Sequence, residues 1–205
     1  KKENAMPNWV TNSITATNDD GDQIPCNKII DRMRWTSDDN VSEQQAEEEI
    51  SFHKVLPMPD ELVNTTYPNN ISKEESDRLI DKYGHDNWYH WAWYNWGTKW
   101  DLHGVNFGDL DDDGNIYSFG FQTAWATPDK FITALSLLVK DVWIVVEYAD
   151  EDYGSNYGTY TCRNGEVHNE SCYDWEDYQS GNPEAVRILK DLQGEPYIDE
   201  EEEVF

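Results

Sequence analysis

The residues whose types and spacing come closest to a known chemical site are the aspartates of an acidic turn. Asp109, Asp111 and Asp113 alternate along the chain, and Gly114 follows them. An EF-hand calcium loop begins in this way, with oxygen ligands at positions 1, 3 and 5 and a glycine at position 6. Position 12, where that loop needs a bidentate glutamate, is Gly120 here. Because an acidic hairpin turn explains the same residues, we favour the turn and keep a calcium site of these three aspartates as the alternative.

Other residue types that could catalyse a reaction or bind a metal lack the spacing that such chemistry needs. His85, His90 and His103 are close in the chain, but no two of them stand four residues apart, as in a zinc-binding helix. No nucleophile elbow, P-loop or glycine-rich dinucleotide turn occurs. Cys162 has only Arg163 beside it and falls in a predicted hairpin strand. We therefore expect no enzymatic activity and no bound cofactor.

The most distinctive chemical property of the chain is its negative charge. It carries 42 acidic against 15 basic residues, a formal net charge of -27. Residues 141–205 hold 18 of the acids and 3 of the bases. Phosphate recognition depends on lysine and arginine, so this charge disfavours direct binding to nucleic acid or to an anionic membrane. It favours a protein partner with a basic surface.

Aromatic residues are interspersed among the acidic runs of the last third of the chain. The runs are EYADED, DWED and DEEEE. A solvated surface explains them, but we interpret them as a surface that imitates nucleic-acid phosphates and binds a basic groove. The residues predicted to contact such a partner are Glu147, Asp150, Glu151, Asp152, Asp174, Glu176, Asp177, Glu200, Glu201, Glu202 and Glu203.

Five of the ten tryptophans stand in one segment, WYHWAWYNWGTKW. Such a segment is either the centre of a core or a binding platform, because large aromatic side chains are rarely left in water without a partner. Tyr89, Trp93 and Tyr94 lie off the main face of the predicted helix, and a helix that is apolar all round is typically buried. A platform for bases would also need a basic groove, whereas Lys99 is the only base nearby. We predict that this segment packs in the core.

The elements that must position these residues follow from hydrophobic periodicity and turn signals. Strands are predicted at Trp9–Thr17, 98–107, 115–125, 141–148, 158–163 and 166–168. Helices are predicted at 24–34, 73–83, 86–96, 128–140 and 183–192, with start signals at Ser72, Asp86 and Asn182 and with Gly84 at the end of the second helix. Asn164-Gly165 predicts a type I′ hairpin between the last two strands. Without the segment at about 36–97 the order is βαββαβ, the split βαβ arrangement. The predicted class is α+β, an antiparallel sheet with helices on one face, a helical insertion after the first helix and an acidic C-terminal extension.

Several blocks of the chain resemble the YubB-type ferredoxin-like domain, a family of small phage and plasmid proteins without established function. The blocks are MPNW at 6–9, SFHKVLPMPDEL at 51–62, NWYHWAWYNWGTKWD at 87–101, FQTAWATP at 121–128 and EYADEDYGSNYGTYTCRNGEV at 147–167. The resemblance implies a βαββαβ fold and a mobile-element origin, and it supplies no catalytic residue. Residues 36–49 and those after 172 depart from the family pattern. We therefore expect a ferredoxin-like domain at 6–170 and an extension at 171–205.

These interpretations together predict a non-enzymatic acidic protein, encoded by a phage or plasmid, that binds and inhibits a host protein with a basic surface. A calcium-binding module at the acidic turn is one alternative. The other is a binder of single-stranded nucleic acid that uses the face of the sheet. No apolar run approaches the roughly 20 residues that span a bilayer, and no signal peptide is evident, so we expect a cytoplasmic protein without a membrane partner. Cys26, Cys162 and Cys172 are expected to be free thiols, with a bond between the last two as the alternative.

Overall fold

The computed structural model describes residues 7–36 and 48–195. Its strands are β1 (Trp9–Thr17), β2 (Gln23–Ile24), β3 (His103–Phe107), β4 (Ser118–Ala124), β5 (Trp143–Asp150), β6 (Tyr157–Arg163) and β7 (Glu166–Tyr173). Its helices are α1 (Asn27–Met33), α2 (Phe52–Val55), α3 (Asp60–Val63), α4 (Lys73–Tyr83), α5 (Trp88–Asn95), α6 (Asp129–Ser136), α7 (Trp175–Gln179) and α8 (Pro183–Gln193).

The strands form one antiparallel sheet in the order β3-β4-β1-β5-β6-β7, and β2 pairs with the end of β1. Strands β1 and β3 both run antiparallel to β4, which lies between them. In the same way β1 lies between β4 and β5. Each βαβ unit is therefore split by a strand of the other unit. The α+β ferredoxin-like fold predicted from the sequence is confirmed.

The first face of the sheet carries the main core. Alternate residues of β1 point into it, and Val10 and Ile14 are fully buried. Asn12 lies on the same side, where its amide donates to the Thr123 hydroxyl at 2.8 Å. Helices α1, α2 and α6 cover this face with apolar side chains of the same cluster. Since successive residues of a strand point to opposite faces, the pattern of β1 decides which side the helices cover.

The second face of the sheet is covered by α8, which belongs to the predicted C-terminal extension. Ala149 and Tyr157 point to this side and pack with Ala185, Ile188 and Leu189 in a second apolar cluster. Helix α8 contacts β5, β6 and β1. Strand β7 runs through residue 170, so it continues without a break from the predicted domain into the extension. The prediction of helices on one face therefore holds for the βαββαβ core, whereas the extension adds a helix on the other face.

The tryptophan-rich segment joins the insertion to the rest of the fold. Trp96 is almost fully buried, and its indole nitrogen donates to the carbonyl of Leu56 at 3.0 Å. Its own carbonyl accepts a hydrogen bond from the backbone of Phe131 in α6, at 3.2 Å. The chain then turns at Gly97, whose φ is 80°. A side chain at this position would collide with Asp129, so only glycine fits.

Local capping signals are confirmed at several element ends. The Ser72 hydroxyl accepts from the backbone of Glu75 at the start of α4, and Gly84 ends that helix in the left-handed conformation. Asn164 and Gly165 both have positive φ, as the type I′ hairpin between β6 and β7 requires. The Asn182 side chain caps α8, as the sequence predicts.

Some predicted boundaries are wrong, for reasons that lie in tertiary contacts. Helix α5 is capped by Asn87 instead of Asp86, whose carboxylate accepts hydrogen bonds from Ser76 and Asn69. Helix α6 ends at Ser136, four residues early. Strand β3 begins at His103, because the chain before it is taken up by the turn at residue 97.

Cys26 and Cys162 are buried free thiols, and Cys172 is an exposed one. In the ladder of β6 and β7, Cys162 stands opposite Val167 and Cys172 stands opposite Gly158. Two cysteines placed so far apart along a hairpin cannot reach disulfide geometry, so the alternative of a bond between them is wrong.

Candidate functional site

The structure brings together two of the predicted acidic runs around one tryptophan. Trp175, in α7, is 41% exposed and stacks on Tyr178 with ring centroids 5.0 Å apart. Tyr153, from the loop after β5, contacts the Trp175 ring edge-on at 6.1 Å. Gly154 of the same loop lies so close to this indole that a Cβ atom would be 2.7 Å from it. The loop after β5 and α7 are therefore in direct contact.

Five of the predicted contact residues belong to the two segments that meet at this tryptophan, the loop after β5 and α7 with its cap, and define what we call the acidic face. They are Glu151, Asp152, Asp174, Glu176 and Asp177. Glu151, Asp152, Asp174 and Glu176 are exposed, and Asp177 is half-buried. None of the five pairs with a basic side chain within residues 7–36 and 48–195.

Two members of the acidic face also fix the local backbone. The Asp174 carboxylate caps α7 by accepting from the backbone of Glu176 at 2.9 Å and of Asp177 at 3.1 Å. The Asp177 carboxylate accepts in return from the backbone of Asp174, which completes a capping box. The face is therefore held rigidly, since its residues belong to a capped helix and a loop that packs against it.

Two of the predicted contact residues have a different role. Asp150 is only 5% exposed, and its carboxylate accepts from the side chains of Asn8 and Asn156 and from the backbone of Asp152. Its predicted role as an exposed contact residue is wrong, because β5 continues to this position and buries it. The Glu147 carboxylate pairs with Arg187 of α8 at 2.6 Å and so holds that helix on the sheet. Glu200, Glu201, Glu202 and Glu203 lie outside the described residues.

The basic residues of the C-terminal third do not neutralise the acidic face. Arg163 pairs with Asp19, and Arg187 pairs with Glu147. Lys190 pairs with Glu195 at 2.9 Å. These three are all the bases that residues 141–205 contain. Each of the three is therefore paired with a carboxylate that does not belong to the acidic face.

The acidic turn uses its central carboxylate for its own structure. One oxygen of Asp111 accepts from the backbone of Asp113 at 3.0 Å and of Asn115 at 2.8 Å, and the other accepts from the Asn115 amide. The hydrogen bonds from Asn115 hold the pKa of Asp111 below its usual value. Asp109 and Asp113 are exposed beside it. Among the residues that the structure describes, no three His, Cys, Asp or Glu side chains are grouped as a metal site. This geometry favours a hairpin turn over a calcium loop.

The aromatic segment is buried on one side only, so the prediction of core packing is half wrong. Trp91 and Ala92 of α5 are buried, but Tyr94 is 71% exposed. The opposite side of the helix lines an open concavity of about 650 Å³. We call this surface the aromatic face, and its residues are His85, Tyr89, His90, Trp93 and Tyr94. In the described part of the chain, helix α5 packs on α3 and α6. The aromatic side chains on the side that faces away from these helices are left open.

Ring contacts organise the aromatic face. Tyr67, from the loop before α4, stacks on Tyr89 with centroids 4.2 Å apart and planes 14° from parallel. Tyr89 contacts Trp93 at 6.2 Å, and His85 contacts Tyr94 at 5.0 Å. Burial, and next the proximity of His90, lower the pKa of His85 below its usual value, so this imidazole is neutral at pH 7. The helical spacing already placed Tyr89, Trp93 and Tyr94 off the main face of this helix, but the sequence did not indicate that this side stays open.

The histidines predicted as a cluster are only partly brought together. His85 and His90 share the aromatic face, but His103 lies apart on β3. There its ring packs against Trp9 at 5.7 Å and its Nδ1 lies 3.3 Å from the Glu48 carboxylate.

The open part of the second sheet face is polar. A groove there is lined by Ser13, Thr15, Thr17, Gln23, Glu147 and Arg187. No aromatic side chain lines it, and its only base is paired with its only acid. Trp143 lies on the same face, but the Arg163 guanidinium covers its ring at 4.9 Å. The groove therefore lacks the stacking aromatics that a sheet-face binder of single-stranded nucleic acid uses, and the aromatic rings on this side of β1 stand beyond it, where Trp9 packs against Trp100 and His103.

No helix within residues 7–36 and 48–195 combines the length and apolarity that crossing a bilayer requires. The comparison with curated proteins found no match. Among solved structures, the chain is similar to the crystal structure of the protein api92 from Yersinia pseudotuberculosis, with 15% identity and a TM-score of 0.36. The similarity covers 44% of this chain and 31% of that one, so the chain matches about a third of that protein's length.

The family comparison concerns the second half of the chain, which contains strands β3 to β7. Residues 95–190 match the family model described as the ferredoxin-like domain in Api92-like protein. The matched range runs from the end of α5 to the last turns of α8. The chain thus carries a ferredoxin-like domain similar to that of Api92-like proteins, a family of unknown function.

Proposed function

We propose that this protein is a non-enzymatic inhibitor that places its acidic face on a basic surface of another protein and blocks it. One observation carries the proposal: two acidic runs, separated by more than twenty residues in sequence, meet around the exposed indole of Trp175. Aromatic anchors ringed by charge are typical of protein–protein contact surfaces.

The electrostatics favour a cationic partner. The net charge of -27 attracts a basic surface over a distance and raises the rate of encounter. The carboxylates of the acidic face stand on a capped helix and a packed loop, so little freedom is lost when they bind. A basic groove that normally binds nucleic acid is the class of surface that matches such an array.

Two side chains of the described residues that could act as nucleophiles are held in other roles. The Ser51 hydroxyl donates to the Asp101 carboxylate and caps α2, so it serves the structure. Burial raises the pKa of the Cys162 thiol, which keeps it protonated and unreactive. The resemblance of several sequence blocks to the YubB-type family supports two further parts of the proposal. They are a phage or plasmid origin and a target in the cytoplasm of the bacterial host.

The test compares two variants that lose the same charge at different places. The first carries Glu151→Gln, Asp152→Asn and Glu176→Gln, which spare the capping carboxylates of α7. The matched control carries Asp20→Asn, Asp81→Asn and Asp112→Asn, three exposed positions away from Trp175. Proteins retained from host lysate are identified by mass spectrometry at about 0.1 M and 0.5 M NaCl, and the retained protein is then purified for affinity measurements.

We expect a basic protein that is retained at low salt, released at high salt and lost with the first variant only. Equal loss with both variants would assign the binding to overall charge instead of the acidic face. Retention that is indifferent to salt and to both variants would contradict the proposal.

A further inference from the structure

We infer that the aromatic face is a second contact site on this protein, which receives arginine or lysine side chains of the basic partner. The inference rests on the proposed function, because it takes its ligand chemistry from that partner. It assigns a binding role to Tyr89, Trp93 and Tyr94, which the fold alone does not require.

The first argument is the arrangement of rings. Tyr89 and Trp93 lie one turn apart on α5, Tyr94 directly follows Trp93, and all three border a single open concavity. Tyr67 extends this surface by stacking on Tyr89. Tyr67 is 49% exposed and Tyr94 is 71% exposed. Large aromatic rings left in water side by side are typical of a surface that binds something.

The second argument is charge complementarity. The π faces of tyrosine and tryptophan attract cations within about 6 Å. Neither lysine nor arginine is among the residues that line the concavity. The nearest basic side chains of α4, Arg78 and Lys82, both bind the Glu61 carboxylate at 2.6 Å. Within residues 7–36 and 48–195 the lining of this face therefore offers rings without a lysine or arginine, in a molecule whose charge attracts cations.

The third argument comes from other aromatic residues of the same chain. The Lys99 ammonium lies 4.4 Å from the centroid of Trp100, and the Arg163 guanidinium covers Trp143. At both places a basic residue of the chain satisfies the ring. On the aromatic face that position is left to a ligand, and the planar guanidinium of arginine suits a stack of rings best.

These observations favour a basic protein segment over nucleic acid. A platform for bases combines aromatic rings with a basic groove that holds the phosphates. Here the groove is absent from the described lining of the concavity, and the carboxylate of Asp86 stands at the start of α5 instead. A phosphate backbone would be repelled where an arginine side chain is attracted.

The experiment is a titration of the full chain with a deca-arginine peptide, followed by NMR. The indole N–H signal of Trp93 reports on the aromatic face, and that of Trp175 reports on the acidic face. Tyr94→Ala is the test variant, because its ring is exposed and makes little contact with the core. Tyr117→Ala is the matched control, an exposed tyrosine on the far hairpin. The triple amide variant of the acidic face is titrated in parallel.

We expect the peptide to shift the Trp93 signal and to bind Tyr94→Ala about 3- to 10-fold more weakly than the parent, the range of one cation–π contact. Tyr117→Ala should bind as the parent does. In the triple amide variant the Trp93 signal should still move, although at higher peptide concentration.

Three results would overturn the inference. If only the Trp175 signal moves, the aromatic face is not a cation site, while the proposed function stands. If an oligo-dT strand moves the Trp93 signal and the peptide does not, the face binds nucleic acid. If the peptide moves neither signal, the proposed function falls together with this inference.

Discussion

The Ser51 hydroxyl donates a hydrogen bond to the carboxylate of Asp101, which joins the first helix of the insertion to the end of the tryptophan-rich segment. The other oxygen of Asp101 accepts from the backbone of Phe52 and of Leu102, both at 2.8 Å. One carboxylate thus satisfies free N–H groups at the start of α2 and at the entry to β3. Ser51 and Asp101 both belong to sequence blocks that resemble the YubB-type family. Their hydrogen bond gives a structural reason for these two residue types.

Asp101→Asn should therefore destabilise the fold. The amide oxygen can still accept from the backbone of Phe52 and Leu102, but an NH2 donor then faces the Ser51 hydroxyl, which loses its acceptor. We expect a loss of about 1–3 kcal/mol in the free energy of unfolding, measured by urea denaturation. Asp112→Asn, on the exposed turn, is the control and should change stability little. Equal stability of the two variants would contradict the role of Asp101.

Gly97→Ala tests the turn that follows α5. Both Gly97 and Gly84 have φ near 80°, but only the first has a neighbour in the way, the Asp129 side chain. Gly84→Ala should cost about 1–2 kcal/mol for the left-handed conformation alone. Gly97→Ala should cost at least about 1 kcal/mol more, because Asp129 and the start of α6 must move. Thermal unfolding of both variants measures the difference in stability. A Gly97→Ala variant that is as stable as Gly84→Ala would refute the close contact with Asp129.

The Glu61 carboxylate predicts a dependence of stability on pH. Hydrogen bonds from Lys82, Tyr83 and Arg78 lower its pKa to about 2. A carboxyl group whose pKa is lower in the folded state stabilises the fold above its unfolded pKa, near 4.3, and loses this contribution as the pH falls. The difference in unfolding free energy between the parent and Glu61→Gln should therefore be largest above pH 5 and fade towards pH 2. A difference that stays constant over this range would contradict the ion pairs.

Calcium should have little effect on this protein. The oxygens of Asp111 already accept hydrogen bonds within the acidic turn, and position 12 of the loop has no carboxylate. We expect no shift of the melting temperature and no heat of binding with calcium at about 1 mM. Even weak extracellular calcium sites are partly occupied at this concentration. A clear heat that disappears in Asp109→Asn would restore the calcium alternative.

Much of the fold could be predicted from the sequence, because its signals are local. The alternation of apolar and polar residues predicted both ends of β1 correctly. The Ser72 and Gly84 signals predicted both ends of α4. The order of strands and helices then left the split βαβ arrangement as the simplest topology. These elements depend on neighbours within a few residues.

The features that the sequence did not predict depend on distant parts of the chain. Asp150 was predicted as part of an exposed acidic run, but pairing with Val10 of β1 and hydrogen bonds with Asn156 hold it in a buried position. Trp93 and Tyr94 were predicted as core residues, yet in the described part of the chain they border an open concavity while Trp91 and Ala92 of the same helix are buried. The residues of the acidic face could be predicted from the sequence. That their two segments meet at Trp175 could not, because this depends on how the loop after β5 packs against α7.

The position of α8 has a practical consequence for anyone who shortens this chain. Removal of residues from 183 onwards would expose Ala149 and Tyr157 to water and would take away the Arg187 partner of Glu147. It would also remove the Gln193 side chain, which donates to the backbone carbonyl of Asp150 beside the loop that carries Glu151. A truncated protein that loses its partner has therefore lost a scaffold as well as a set of carboxylates, and only point substitutions separate the two.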